Sequence, residues 1–120
     1  MTANKIEELR AALFASWSNQ SSTLWKPENP ALGQCGVTAL VAQDVLGGDI
    51  LKTPYGDICH YYNRIDGRNV DFTESQFVSE LSYENIESDR VEAFSDTNQS
   101  QYDYLKEAVD RSLADDAHSV

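Results

Sequence analysis

Ile6, Leu9, Leu13 and Trp17 recur at three- and four-residue steps, with Glu7, Glu8 and Arg10 between them. That spacing gathers one apolar stripe and predicts an amphipathic helix over residues 4–17. The periodicity then breaks. Residues 18–33 hold Ser21-Ser22, Pro27, Asn29, Pro30 and Gly33, which disfavour regular structure and predict an ordered loop that carries Leu24, Trp25 and Leu32 inward. From Cys35 the residues Val37, Leu40, Val41, Val45 and Leu46 make a second helix apolar around much of its circumference, a core helix stopped by Gly47-Gly48.

Beyond Gly48 the pattern becomes that of strands. Residues 49–53 predict a short strand, 54–57 a turn, and 58–65 a second strand that runs into Asp66-Gly67, a strong hairpin signal, and returns over 68–73. Thr73 and Gln76 have the spacing of a capping box and predict a short helix through Phe77, Val78 and Leu81. A further strand is predicted at 90–94. Tyr102, Leu105, Val109 and Leu113 then predict a last helix, fraying from about Ala114. The fold class expected is α+β in a single domain over residues 1–120: an N-terminal helix, a central cysteine-bearing helix packed on a small antiparallel sheet, and a C-terminal helix.

With 120 residues the chain can bury roughly two thirds of its surface in one core. Its 9 Lys and Arg against 20 Asp and Glu give a net charge of −11, which makes a phosphate backbone an unfavourable partner and argues against nucleic-acid binding. No apolar run supports a secretory leader or a membrane span of ~20 residues, so a cytoplasmic protein without a membrane partner is expected. Gly47-Gly48 lacks the continuation of a phosphate loop, and the acidic C-terminal third lacks EF-hand spacing. No cofactor is implied, and nothing in the sequence sets an oligomeric state. Two cysteines, Cys35 and Cys59, are too few for a disulfide scaffold.

Cys35 lies in Gly33-Gln34-Cys35-Gly36, at the first turn of a buried helix, where unpaired N–H groups and the helix dipole favour a thiolate. If Asp66-Gly67 is a two-residue loop, Ile65 faces Arg68 and alternation sorts the hairpin into two faces. One is polar, with His60, Tyr62, Arg64, Asn69, Asp71 and Thr73; the other is core, with Cys59, Tyr61, Ile65, Val70 and Phe72. His60 and Asp71 then become diagonal neighbours, close enough for the carboxylate to orient the imidazole. Cys35, His60 and Asp71 are the expected nucleophile, base and orienter, and Cys59 the structural cysteine. A metal site on Cys35, His60, Asp71 and His118 lacks any close ligand pair, so no metal is implied.

Asn29-Pro30-Ala31-Leu32-Gly33-Gln34-Cys35-Gly36-Val37-Thr38-Ala39-Leu40, Gly47-Gly48-Asp49-Ile50-Leu51, His60-Tyr61-Tyr62-Asn63-Arg64 and Asp71-Phe72-Thr73-Glu74-Ser75-Gln76-Phe77 together resemble the YunG family of small bacterial proteins. The likeness runs from Trp17 to the final helix. The order of parts also resembles the papain-like and transglutaminase-like superfamily. That second resemblance implies an enzyme acting on the amide or related acyl group of a small-molecule or protein substrate. Cys35 would be the nucleophile, His60 the base and then the acid, and Asp71 the orienter. It also implies a side-chain amide as oxyanion donor, from Asn29 or Gln34, beside the Cys35 backbone N–H. The chain lacks a second lobe for an extended peptide cleft. The rival expectation is a non-catalytic module that binds a ligand or protein in the same polar pocket.

Overall fold

Trp17 ends the first apolar stripe, and its indole N–H donates to the Thr38 hydroxyl at 2.9 Å, tying the end of one helix to the middle of another. In the computed structural model, which describes residues 2–118 and the side chains of 4–115, α1 spans Thr2–Ser16 and α2 spans Cys35–Leu46. From Cys35 to Ala42 every residue of α2 is buried, as expected of a helix apolar on all sides. Ile6, Leu9 and Leu13 of α1 meet Val37 and Val41 of α2 and Leu105 and Val109 of α4 (Gln99–His118) in the main core. The final helix thus continues past Ala114. His118 has its side chain outside the described residues.

At the end of α2, Gly47 returns its N–H to Gln43 O, and Gly48 sits at φ +81° against β2. A Cβ on Gly48 would lie 2.2 Å from Arg64 O, so only glycine lets the helix turn into the sheet there. Four antiparallel strands follow: β1 (Asp49–Tyr55), β2 (Ile58–Ile65), β3 (Arg68–Val70) and β4 (Ile86–Glu87), in the order β3-β2-β1-β4. β1 runs on through Pro54, because β4 covers it at Leu51 and Lys52 and leaves an open edge beside the proline. Asp66 and Gly67 both have positive φ, the two-residue turn that matches strand twist, and Ile65 pairs with Arg68. Among the described residues the fold is α+β, with four helices, the third being α3 (Arg90–Phe94), and this small sheet. No described helix is long and apolar enough to cross a membrane.

Three expected elements differ. The return strand stops at Val70 because Asp71 turns its own side chain back on the chain: Oδ1 accepts the N–H of Thr73 at 3.0 Å and its hydroxyl at 3.2 Å. With its hydroxyl committed there, Thr73 caps nothing, and the expected helix shrinks to a 3-10 turn at Glu74–Gln76. Residues 90–94 form α3 and not a strand, since Asp89 Oδ1 accepts the Glu92 N–H at 2.9 Å as an N-cap. In the first loop Leu24 is 58% exposed and Ala31 takes the buried position instead.

The expected polar face of the hairpin meets solvent only near the turn, where Arg64 is half-buried and Asn69 exposed; farther from the turn it is covered. Tyr61, Tyr62, Asn63 and His60 are all buried. On one side Asn63 donates to Ala39 O of α2 at 3.1 Å. On the other, the irregular segment after the 3-10 turn lies over His60 and Tyr62. Phe77 meets His60 edge-on at 4.8 Å, and Tyr83 meets Tyr62 at 4.9 Å. Thr53 Oγ1 donates to Ser82 O at 2.8 Å and accepts from Glu84 N at 3.0 Å, which pins this cover to β1.

Candidate functional site

Cys35 opens α2 and packs with Ala39, Leu40, Ile50, Tyr61 and Ala93. α3 is held against α2 by Arg90, whose guanidinium donates to Leu40 O at 3.3 Å and pairs with Asp44 at 3.2 Å. The connection from α3 to α4 therefore delivers Asp96 to the first turn of α2. Asp96 Oδ2 accepts the Gly36 N–H at 3.1 Å and the Cys35 thiol at 3.4 Å. A Cβ on Gly36 would meet Asp96 at 2.7 Å, so glycine at the second helical position is what admits the carboxylate.

This arrangement overturns the expectation of a ready thiolate. Burial pushes the Cys35 thiol far up, and the charge of Asp96 pushes it further; the Tyr61 backbone N–H works in the opposite sense. The helix-terminal N–H group that would hold a thiolate is already occupied by Asp96. Tyr61 has that N–H to offer because the β2–β3 ladder ends at Asn63↔Val70, one alternation short of Tyr61. Burial also raises the Asp96 carboxyl, against the hydrogen bonds from Cys35 and Gly36 and the charge of His60.

His60 and Asp71 do meet. His60 Nε2 lies 2.7 Å from Asp71 Oδ2, with the two side chains 2% and 6% exposed. The Tyr83 hydroxyl donates to the same oxygen at 2.7 Å. Burial works to raise the Asp71 carboxyl, and it is outweighed by the hydrogen bond and charge of His60, then by Tyr83 and Thr73, so the group lies below the ordinary carboxylate range. An ionised carboxylate can only accept, so Nε2 carries the ring hydrogen. Nδ1 is then the ring nitrogen left outside that bond, and it is buried without a hydrogen-bond partner.

Cys35 and His60 line one cavity of about 330 Å³, together with Cys59, Gln76 and Asp96 and the apolar side chains Leu24, Tyr55, Ile58 and Phe77. Cys59 is half-buried in that wall, so the adjacent Cys59-His60 pair both reach one cavity and Cys59 is not sealed in the core. Asn29 and Gln34 are not among the lining residues. Gln34 is fully buried with its amide nitrogen on Ser18 O at 3.4 Å, and Asn29 donates to the backbone carbonyl of Gln76 at 3.4 Å. Gln76 and Asp96 join the cavity wall without having been expected there. Gln76 has the spacing of a capping box, and Asp96 stands in a polar stretch with no spacing to distinguish it. Among the described residues, no three His, Cys, Asp or Glu side chains gather as a metal-binding set.

Residues 5–114 match the family model described as YunG protein. The chain is 48% identical over 108 residues to the uncharacterized protein YunG of Bacillus subtilis (strain 168), covering 90% of this chain and 94% of that one. No solved structure matches. A match over nearly the whole length, carrying the Cys35, His60 and Asp71 blocks within it, leads to one assignment: the chain belongs to the YunG family.

Proposed function

We propose that the cavity is an acyl-transfer site, in which Cys35 attacks an amide or related carbonyl, His60 takes and returns the proton, and Asp71 orients the ring. One observation carries this reading. A buried histidine is fixed through Nε2 by an ionised aspartate, and its Nδ1 is left unpaired in the wall that also holds a cysteine. Buried polar groups are rarely left without a partner, and an imidazole so oriented is poised to accept a proton. The order of parts, cysteine on a helix, histidine on a strand and aspartate after the next, is that of the papain-like and transglutaminase-like enzymes, which supports the same chemistry. Hydrolysis, deamidation and transfer to an amine share this first half.

A second reading has its own support. Burial first, and then the charge of Asp96, push the Cys35 thiol up, which suits a pocket that binds a ligand or protein without turnover. The two readings part on acylation. An activated ester should leave a thioester on Cys35, found by mass mapping. His60→Gln, which keeps a donor for Asp71 but no base, should slow its formation on the order of 10²-fold. Acylation of Cys59 alone, or a rate on Cys35 indifferent to His60→Gln, would establish the binding module in its place.

A further inference from the structure

Gln76 is held at both ends. Asn29 donates to its backbone carbonyl at 3.4 Å, and its side-chain oxygen accepts the Gly33 N–H at 3.2 Å. Because an N–H requires an oxygen opposite it, the Gly33 contact settles which way the amide faces. Nε2 is therefore directed away from Gly33, and it is buried with no hydrogen-bond partner. The same cavity wall thus contains a thiol, an unpaired acceptor on His60 and an unpaired donor on Gln76. An orphaned buried donor costs stability, about 1–3 kcal/mol in general, unless a ligand atom completes it. The lining contains no Lys or Arg, its one carboxylate is Asp96, and Leu24, Tyr55, Ile58 and Phe77 make much of the rest apolar.

We propose that Gln76 is the oxyanion donor of this site, and that the group it receives is the carbonyl oxygen of an uncharged acyl group bearing an apolar substituent. The inference rests on the acyl-transfer reading above. As Sγ bonds to the carbonyl carbon, its proton passes to His60 Nδ1 and the π pair of C=O moves onto oxygen, where Nε2–H of Gln76 stabilises it. Collapse re-forms C=O and breaks the bond to the leaving amine or alkoxide, which departs with the proton from His60. Water then attacks the thioester, gives a proton to His60, and releases the acid as the thiol is reprotonated. A donor aimed at the oxyanion is worth more than one aimed at the ground state, because charge develops on oxygen only in the transition state.

The test compares two reagents on one thiol. p-Nitrophenyl butyrate acylates Cys35 through an oxyanion; methyl methanethiosulfonate transfers its CH3S group with none. The readout is the ratio of the two rates, with the adduct mapped to Cys35. Gln76→Met should lower that ratio on the order of 10²-fold. Gln76→Glu keeps an acceptor for Gly33 and so preserves the loop, yet should lower it comparably, since the ratio cancels any change in thiol ionisation. A p-nitrophenyl hemisuccinate should acylate the native protein at least roughly tenfold more slowly than the butyrate, its carboxylate finding no cation and meeting Asp96. Wild-type protein that forms no thioester sinks the acyl-transfer reading along with this one. Acylation that proceeds in Gln76→Glu with an unchanged ratio overturns the role of Gln76 alone, and equal rates for the two esters overturn the substrate class.

Discussion

Asp71 and Asp96 each hydrogen-bond a candidate catalytic side chain, His60 in one case and Cys35 in the other; the Asp71 side chain is 6% exposed whereas Asp96 is an exposed residue, and their surroundings drive them in opposite directions. Asp71 collects the imidazole Nε2–H, the Tyr83 hydroxyl and both the N–H and hydroxyl of Thr73, and it lies below the ordinary carboxylate range. Asp96 collects the Gly36 N–H and a weak thiol donor, and burial raises it. Burial alone does not set the charge of a carboxyl; the number and strength of its donors decide against it. Asp71 is the firmly held anchor of the His60 ring. Asp96 is a lightly held carboxyl resting against the Cys35 thiol and the first turn of α2.

The largest expected effect separates the two anchors by stability. Asp71→Ala should cost about 3–5 kcal/mol in urea unfolding, because it strands a buried imidazole and the Tyr83 hydroxyl. Asp96→Ala should cost less than about 1 kcal/mol, the Gly36 N–H being its main loss. Comparable losses at the two sites would break the distinction between Asp71 and Asp96.

Next comes Asp96→Asn, which keeps an acceptor for Gly36 and removes the charge. It should lower the Cys35 thiol and speed its reaction with methyl methanethiosulfonate at pH 7.5 on the order of tenfold, about one pKa unit. The same variant tests the linkage. A carboxyl raised on folding contributes stability below its unfolded value, about 3.9, that is lost as pH rises through the folded value. Asp96→Asn should therefore melt higher than wild type at neutral pH and lose that advantage near pH 3. Asp71 has the reverse sign: its contribution is present above about pH 3.9 and lost as pH falls through its lower folded value. Melting curves for Asp96→Asn and wild type that run parallel from pH 3 to 8 would remove the contrast.

The smallest effect sharpens the anchor itself. Tyr83→Phe deletes one donor to Asp71 Oδ2 and should cost about 1 kcal/mol. It should also move the acid-unfolding limb to slightly higher pH, since Asp71 then protonates more readily. A limb that stays in place would mean His60 and Thr73 hold the carboxylate without help.

Much of this was legible from residue order. Stripes of three and four residues located α1, α2 and α4, and Asp66-Gly67 determined the register that pairs Ile65 with Arg68. That register, with Asp71 just beyond the strand, was enough to bring His60 and Asp71 together. Misreadings fell where a side chain competed with the backbone. Asp71 and Thr73 bonded each other and ended β3 early, and Asp89 capped a helix where a strand was expected. The Asp89-x-x-Glu92 spacing was there to be read as a cap signal.

Local patterns report which groups prefer helix or strand and which face they share, because both depend on near neighbours along the chain. Residue order therefore carried the helices, the hairpin register and the meeting of His60 with Asp71. Long-range packing placed segment 77–85 over the face carrying His60, brought Asp96 to Cys35 from 61 residues away, and put Gln76 and not Asn29 or Gln34 in the cavity wall. Those outcomes rest on contacts between residues far apart in the chain, whose desolvation and hydrogen bonding set the state of each group, and no local spacing encodes them.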